Sequence, residues 1–399
     1  MELSQTPGAN RLHIGIFGRT NSGKSTLVNA LAGQEVALTS QVAGTTTDPV
    51  SKAVEIHPLG PCLLTDTAGF DDDSALGELR IGRTRGALEK TDIALLVIAG
   101  EDLRLEREWV KLLRERKTPV IAVINQTDAL PSQTVKRLRS SIREELGLDA
   151  VEVSALKRQG IGRLRDALVR CLPQDFQEES ITGYLVSPQD VVLLVMPQDI
   201  QAPKGRLILP QVQTIRDLME NRCLVLCTTT ATLDAALSAL SSPPSLIITD
   251  SQVFPQVYEK KPPESRLTSF SVLFAAYKGD IREFVAGAGA IQRLTPDSRV
   301  LIAEACAHSP LEEDIGRVKI PRLLRKRVGE GLKVDMAAGM EFPEDLSGYD
   351  LIIHCGACMF NRKYVLNRIE SARRQGVPIT NYGVAIAALT GILDKLALQ

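Results

Sequence analysis

The chain has 399 residues, 44% of them hydrophobic, which is too long for one ordinary core and suits two or three, three being the expectation. Its 47 basic and 48 acidic side chains leave a formal charge of −1, which excludes a chain-wide positive field for holding nucleic acid or an anionic membrane. Seven cysteines, an odd number, argue against a disulfide framework and for metal or redox use of a subset.

Residues 1–12 lack the apolar core of a signal peptide, and no later run approaches the roughly 20 apolar residues of a membrane span, so a cytoplasmic protein is expected. From residue 12 to 172, apolar runs at 13–17, 52–56, 62–65, 93–99, 120–124 and 151–153 alternate with amphipathic stretches. That alternation predicts a mostly parallel sheet covered by helices on both faces. Pro58-Leu59-Gly60-Pro61 is a turn signal between the second and third runs, so those two are expected as an antiparallel hairpin. The polar stretch 173–180 reads as a linker out of a first domain at 1–173.

A second, small α/β domain is expected over 181–262, with strands at 191–196, 223–227 and 246–249 and helices near 211–221 and 232–240. Lys260-Lys-Pro-Pro263 reads as its exit. A third α/β domain is expected over 266–399, with strands at 299–304, 333–336, 349–353 and 378–380. The basic run Arg322 to Arg327 reads as a solvated helix face.

Gly18-Arg-Thr-Asn-Ser-Gly23-Lys24-Ser25 fits G-x-x-x-x-G-K-[ST] between an apolar strand and a helical stretch, the context a phosphate loop requires. Asn21, Ser22, Gly23 and Thr26 belong to that cradle, whose glycines let backbone N–H groups face the phosphates; Lys24 adds charge and Ser25 can ligate Mg2+. Asp66-Thr-Ala-Gly69 follows the third strand, so Asp66 can reach Mg2+ through water and the Gly69 N–H can sense a γ-phosphate. Asn125-Gln-Thr-Asp128 follows the fifth strand and places a carboxylate where guanine offers two donors and adenine offers none. Ser154 and Ala155 complete the base side, and Gly44-Thr-Thr-Thr-Asp48 lies where a loop should bring a threonine to Mg2+. Against the TrmE–Era-like P-loop GTPases that these segments resemble, Gln126 replaces a lysine whose stem packs on the base and Phe70 stands where many members carry a water-orienting glutamine, so weak affinity and slow turnover are expected.

These segments resemble the signatures of the TrmE–Era-like P-loop GTPases over the first 172 residues. The resemblance implies Thr46 as the magnesium ligand and, through Asn21, a K+ ion that assists hydrolysis.

Near the C-terminus, His354-Cys355-Gly-Ala-Cys358 and Cys306-Ala-His308 each follow a strand-like run, at the edge where open α/β sheets form their crevices. Three sulfurs exceed what a dithiol exchanger needs, and two of the four histidines lie within two residues of them. A closed Cys3His zinc site and an iron–sulfur cluster with one exchangeable position both fit this pattern. Tyr364, Asn361 and Glu304 are candidates to surround it. Cys62, Cys171, Cys223 and Cys227 read as small hydrophobes.

The order of GTPase, middle α/β part and Cys-x-His…His-Cys-x-x-Cys resembles the FeFe-hydrogenase maturation GTPases along the full length. The resemblance implies a 4Fe-4S cluster on Cys306, Cys355 and Cys358, with His308 or His354 as the fourth ligand. It implies a homodimer, formed through the middle part, that scaffolds a diiron precursor built by two radical-SAM maturases and delivers it to the apo-hydrogenase. Neither nucleic acid nor membrane is an expected partner. The alternative is an RNA-modification or ribosome-assembly GTPase with a structural zinc site.

Overall fold

The computed structural model describes residues 6–33, 41–42, 50–71, 77–172, 180–197, 207–305, 314–339 and 341–398. The chain is α/β and divides into two compact units, 1–177 and 178–399. None of its described helices is long and apolar enough to cross a membrane.

The first unit is built on seven strands: β1 (Leu12–Gly18), β2 (Gln41–Val42), β3 (Val50–Ile56), β4 (Gly60–Asp66), β5 (Ile93–Ile98), β6 (Val120–Ile124) and β7 (Ala150–Glu152), in the order β2-β3-β4-β1-β5-β6-β7. Five of these pairings hold the expected pattern: β4, β1, β5, β6 and β7 run parallel, and β3 returns antiparallel on β4. Every residue of β1 and β5 is buried, as strands covered on both faces must be. Helices α1 (Lys24–Ala32), α2 (Gly77–Leu88), α3 (Arg104–Glu115), α4 (Ser132–Ser141) and α5 (Ile161–Arg170) belong to this unit. Separate apolar clusters fill the two sides, Leu12, Ile14 and Ile16 of β1 packing into one and Phe17 into the other. Strand β2, only two residues long and antiparallel to β3, is too short to leave a periodic signal.

The second unit holds two four-stranded sheets. The first has strands β8 (Val191–Val195), β9 (Leu224–Thr228), β10 (Leu246–Thr249) and β11 (Arg266–Ser269), ordered β11-β10-β8-β9, with helices α6 (Leu209–Glu220), α7 (Leu233–Ser238) and α8 (Phe254–Lys260). After helices α9 (Phe270–Lys278) and α10 (Ile281–Ala288) come β12 (Arg299–Glu304), helix α11 (Ile320–Val328), β13 (Lys333–Ala338), β14 (Leu351–His354), helix α12 (Arg362–Arg374), β15 (Ile379–Asn381) and helix α13 (Tyr382–Leu389). The strand order is β13-β12-β14-β15. Both sheets are wholly parallel and wound alike, with the first strand inside, the second to one side, and the third and fourth to the other.

The middle sheet therefore extends past Lys260–Pro263, where the sequence suggested its exit: β11 pairs with β10 from Arg266 onward. The two later sheets also share packing. On α9, Phe270, Leu273 and Phe274 face the first core while Val272 and Ala275 face the second. The C-terminal residues return to the first sheet, where Ala387 and Ile392 join Leu193 and Ile247, and the Ala397 N–H donates to Leu267 O at 2.9 Å. One helix serving two cores is why these sheets form one compact unit.

Candidate functional site

The phosphate loop runs from the end of β1 into α1, and long-range bonds hold it. Lys24 is buried, and its ammonium donates to Gly18 O at 3.0 Å and Arg19 O at 2.8 Å. Desolvation pulls the Lys24 pKa down, while Asp66 and Asp71 push it back up. Gly23 sits at φ 87°, and a Cβ there would lie 2.4 Å from Asn125 Nδ2, so glycine is required by both conformation and space. That close approach has a purpose: Asn125 donates to Ser22 O at 3.0 Å and accepts from the Ala155 N–H at 3.1 Å, joining the phosphate side to the base side. The neighbouring Gln126, at φ 59°, reaches Asn21 O with its amide at 3.0 Å. The residue expected to weaken the base contact thus acts as a second tie to the loop.

Arg19 adds a third anchor. Its guanidinium grips Glu106 of α3 in a two-bond fork at 2.8 and 2.9 Å, which raises the Arg19 pKa. Glu106 shares the buried face of α3 with Trp109, Val110 and Leu113.

Ser25 and Asp66 meet as a magnesium site requires. The Ser25 hydroxyl donates to Asp66 Oδ2 at 2.5 Å, while Asp66 Oδ1 is buried without a hydrogen-bond partner among the described residues. Burial raises the Asp66 pKa, against the Ser25 bond and the nearby Lys24. A buried, unspent carboxylate oxygen beside a serine hydroxyl fits a hard, oxygen-liganded cation. Ser22 Oγ is likewise buried and unsatisfied within the cradle. Thr46 lies outside the described residues.

Phe70 is buried and stacks on Trp109, with ring centroids 5.4 Å apart and an interplanar angle of 21°. It is a core residue that pins the segment after β4 to α3. At the base side Asp128 accepts from the Ser154 hydroxyl at 2.6 Å, with Lys157 Nζ 3.9 Å away. The Ser154 bond chiefly lowers the Asp128 pKa, so the carboxylate is ionised when it meets a base.

In the second unit, β12 and β14 are neighbours, with Ala303 opposite His354, and the cysteine loop begins where they end. The Cys355 N–H donates to Ala303 O at 2.9 Å, and the Ala305 N–H donates to Cys355 Sγ at 3.1 Å. Ala357 takes φ 46°, turning the chain between Cys355 and Cys358. Burial raises the Cys358 thiol pKa; Lys278 is among the groups opposing that rise. Two cysteines in a tight loop, one already receiving an amide N–H, fit the thiolate side of a soft-metal centre. Cys306 is the next residue after Ala305; it and His308 lie outside the described residues, among which no group of three potential ligands forms.

His354, expected as a possible fourth ligand, lies at the end of β14. It is fully buried: Nδ1 donates to Cys355 O at 2.6 Å and Nε2 accepts from Arg368 at 2.9 Å, so both ring nitrogens are bonded within the protein. Burial, and then the Arg368 charge, depress its pKa to about 3, keeping the ring neutral. Arg368 also bonds the Tyr364 hydroxyl, and both reach Gly339 O after β13. Glu304 is buried under Arg317, bonded at 3.0 and 3.2 Å. These side chains brace the loops around the cysteines. Asn361, also buried, precedes α12.

Comparison with known proteins decides the family. A model described as the hydrogen maturase F dimerization domain matches residues 181–279, and one described as the hydrogen maturase F tetramerization domain matches 282–398, together more than half of the chain. The chain belongs to the hydrogen maturase F family.

The GTPase part of this hydrogen maturase F chain matches a model described as 50S ribosome-binding GTPase over residues 13–126. It is similar to the tRNA modification GTPase MnmE of Paraburkholderia xenovorans, 32% identical over 46% of this chain and 39% of the relative. It is also similar to GTPase Der of Mycoplasmopsis pulmonis, 30% identical over 44% of each chain. The chain thus spans less than half the length of these relatives. A partial likeness to Aquifex aeolicus Era covers 57% of this chain and 98% of that one, at 21% identity and a TM-score of 0.35. The first unit is a P-loop GTPase domain, with the oxygen ligands and phosphate cradle for GTP or GDP and Mg2+.

Proposed function

We propose that this chain is a GTP-hydrolysing scaffold of FeFe-hydrogenase maturation. In this reading Cys306, Cys355 and Cys358 hold a 4Fe-4S cluster. The chain receives a diiron precursor from two radical-SAM maturases and passes it to the apo-hydrogenase. The observation that carries the reading is the convergence of two strand ends, with the amide preceding Cys306 bonded to the Cys355 sulfur, in a chain that also carries the phosphate cradle. His308 is the remaining histidine candidate for the fourth ligand. Residues 181–279, matched by the dimerization model, would join two copies, and the tetramerization model over 282–398 suggests further assembly.

Anaerobic purification of the full chain should give a brown protein with about four iron atoms and matching sulfide per chain. It should activate apo-hydrogenase when loaded by the maturases. Colourless protein containing zinc, or co-purifying RNA, would favour the RNA-modification alternative and sink the scaffold.

Slow hydrolysis belongs to the same proposal. Phe70 is packed against Trp109 and orients no water, and Asn21 would help hold K+. Turnover is expected to rise on exchange of Na+ for K+. Phe70→Gln is expected to leave turnover no faster while costing about 3–5 kcal/mol of stability, because the change empties an aromatic site and buries an amide. Equal rates in the two salts, or a faster Phe70→Gln enzyme, would refute these assignments.

A further inference from the structure

The segment after β4 is docked on the phosphate loop by a carboxylate that neither the magnesium site nor the base site uses. Asp71 Oδ1 accepts from the Thr20 N–H at 2.6 Å and from the Thr20 hydroxyl at 2.9 Å. Gly69, whose amide is the one expected to meet a γ-phosphate, lies between these groups. A Cβ on Gly69 would come within 2.2 Å of Thr20 Oγ1, 2.6 Å of Thr20 N and 2.9 Å of Asp71 Oδ1. Asp71 therefore stands beside Gly69 and Thr20, where the segment after β4 meets the phosphate loop. Lys24 feels both Asp66 and Asp71, so two carboxylates balance its ammonium before a nucleotide arrives.

The two carboxylates differ in what happens next. A nucleotide brings Mg2+, which takes up the negative charge of Asp66. Asp71 is held on Thr20, away from the Ser25–Asp66 pair. GDP ends at the β-phosphate and leaves this corner alone, whereas GTP adds a phosphate beside it. Like charges brought close together repel even at an exposed corner such as this one.

We infer that Asp71 sets the GDP-over-GTP balance of this site: seated on Thr20, its carboxylate opposes the γ-phosphate, and the GTP state requires it to leave. The inference rests on the guanine-nucleotide reading of the first unit. It makes Asp71 a specificity residue for the third phosphate, separate from the groups that hold the first two.

The test is a titration of the full chain, with Mg2+, by fluorescent GDP and by a fluorescent non-hydrolysable GTP analogue. Wild type, Asp71→Asn and Asp71→Ala are compared. Asparagine keeps an oxygen for the Thr20 donors and removes the charge; alanine removes both. Both variants are expected to bind the GTP analogue about tenfold more tightly while GDP affinity moves less than about twofold, because only the charge is at issue. A structural role alone would shift both nucleotides together. An unmoved ratio, or weaker binding of the analogue, overturns the inference while leaving the site a nucleotide site. Wild type that binds neither nucleotide overturns the underlying reading as well.

Discussion

Asp128→Asn is expected to turn this guanine site into a xanthine site. The carboxylate is already oriented, with Oδ1 held by the Ser154 hydroxyl at 2.6 Å and Lys157 standing off at 3.9 Å from Oδ2. Its free lone pairs are what a base with two adjacent donors needs. The asparagine amide keeps an oxygen for Ser154 and the base N1–H, but turns an N–H2 group toward the guanine amino group, so donor faces donor. Xanthine carries an oxygen where guanine carries the amino group and restores the match. Because a donor is left facing a donor at the base, GDP affinity should fall by about 10³–10⁵-fold and xanthosine diphosphate should gain a comparable advantage. Fluorescent titration with both diphosphates measures the exchange. If GDP binding stayed within about threefold of wild type, Asp128 would not be the base reader.

The phosphate cradle was legible because its chemistry is written in one contiguous stretch. Gly18 to Ser25 must turn, expose amides and enter a helix within eight residues, and few other sequences do that. The bonds that hold the cradle were not legible in the same way. Asn125 reaches Ser22 across 103 positions, Gln126 reaches Asn21 across 105, and Arg19 reaches Glu106 across 87. Tertiary pairings at such separations leave no local period. One of them did leave a trace: Glu106 recurs with Trp109, Val110 and Leu113 at the i, i+3, i+4, i+7 spacing of a buried face. A carboxylate on an apolar stripe demands a cation, and the arginine of the phosphate loop supplies it. Gln126 shows the opposite case. Judged by the lysine it replaces, it read as a loss, whereas its short amide makes a contact to Asn21.

The strands of the two later sheets other than β11 were visible as apolar runs, but β11 and the sheet it joins were not. Whether Arg266–Ser269 pairs with β10 or opens the next sheet depends on which neighbour α9 brings close, and α9 faces both. The bonds of His354 were hidden for a related reason. Adjacent to Cys355 in sequence, it read as a ligand; in the fold, α12 carries Arg368 to its ring, and burial forces both nitrogens into protein bonds.

That difference between adjacency and availability yields a second large effect. Cys355→Ala is expected to lower the iron retained on anaerobic purification at least about tenfold, because it removes a thiolate donor from a chelating loop. Cys306→Ala should do the same with nucleotide binding unchanged, and activation of apo-hydrogenase should be lost with the iron. His354→Gln is the control that geometry selects. Glutamine offers an oxygen for Arg368 and an N–H for Cys355 O, so the loop keeps its brace, iron content should stay near wild type, and the low-temperature electron paramagnetic resonance signal of the reduced cluster should not move. A ligand role for His354 predicts an altered signal instead. Iron retained by Cys355→Ala would remove the thiolate assignment altogether, since that sulfur already faces the chain segment that leads into Cys306.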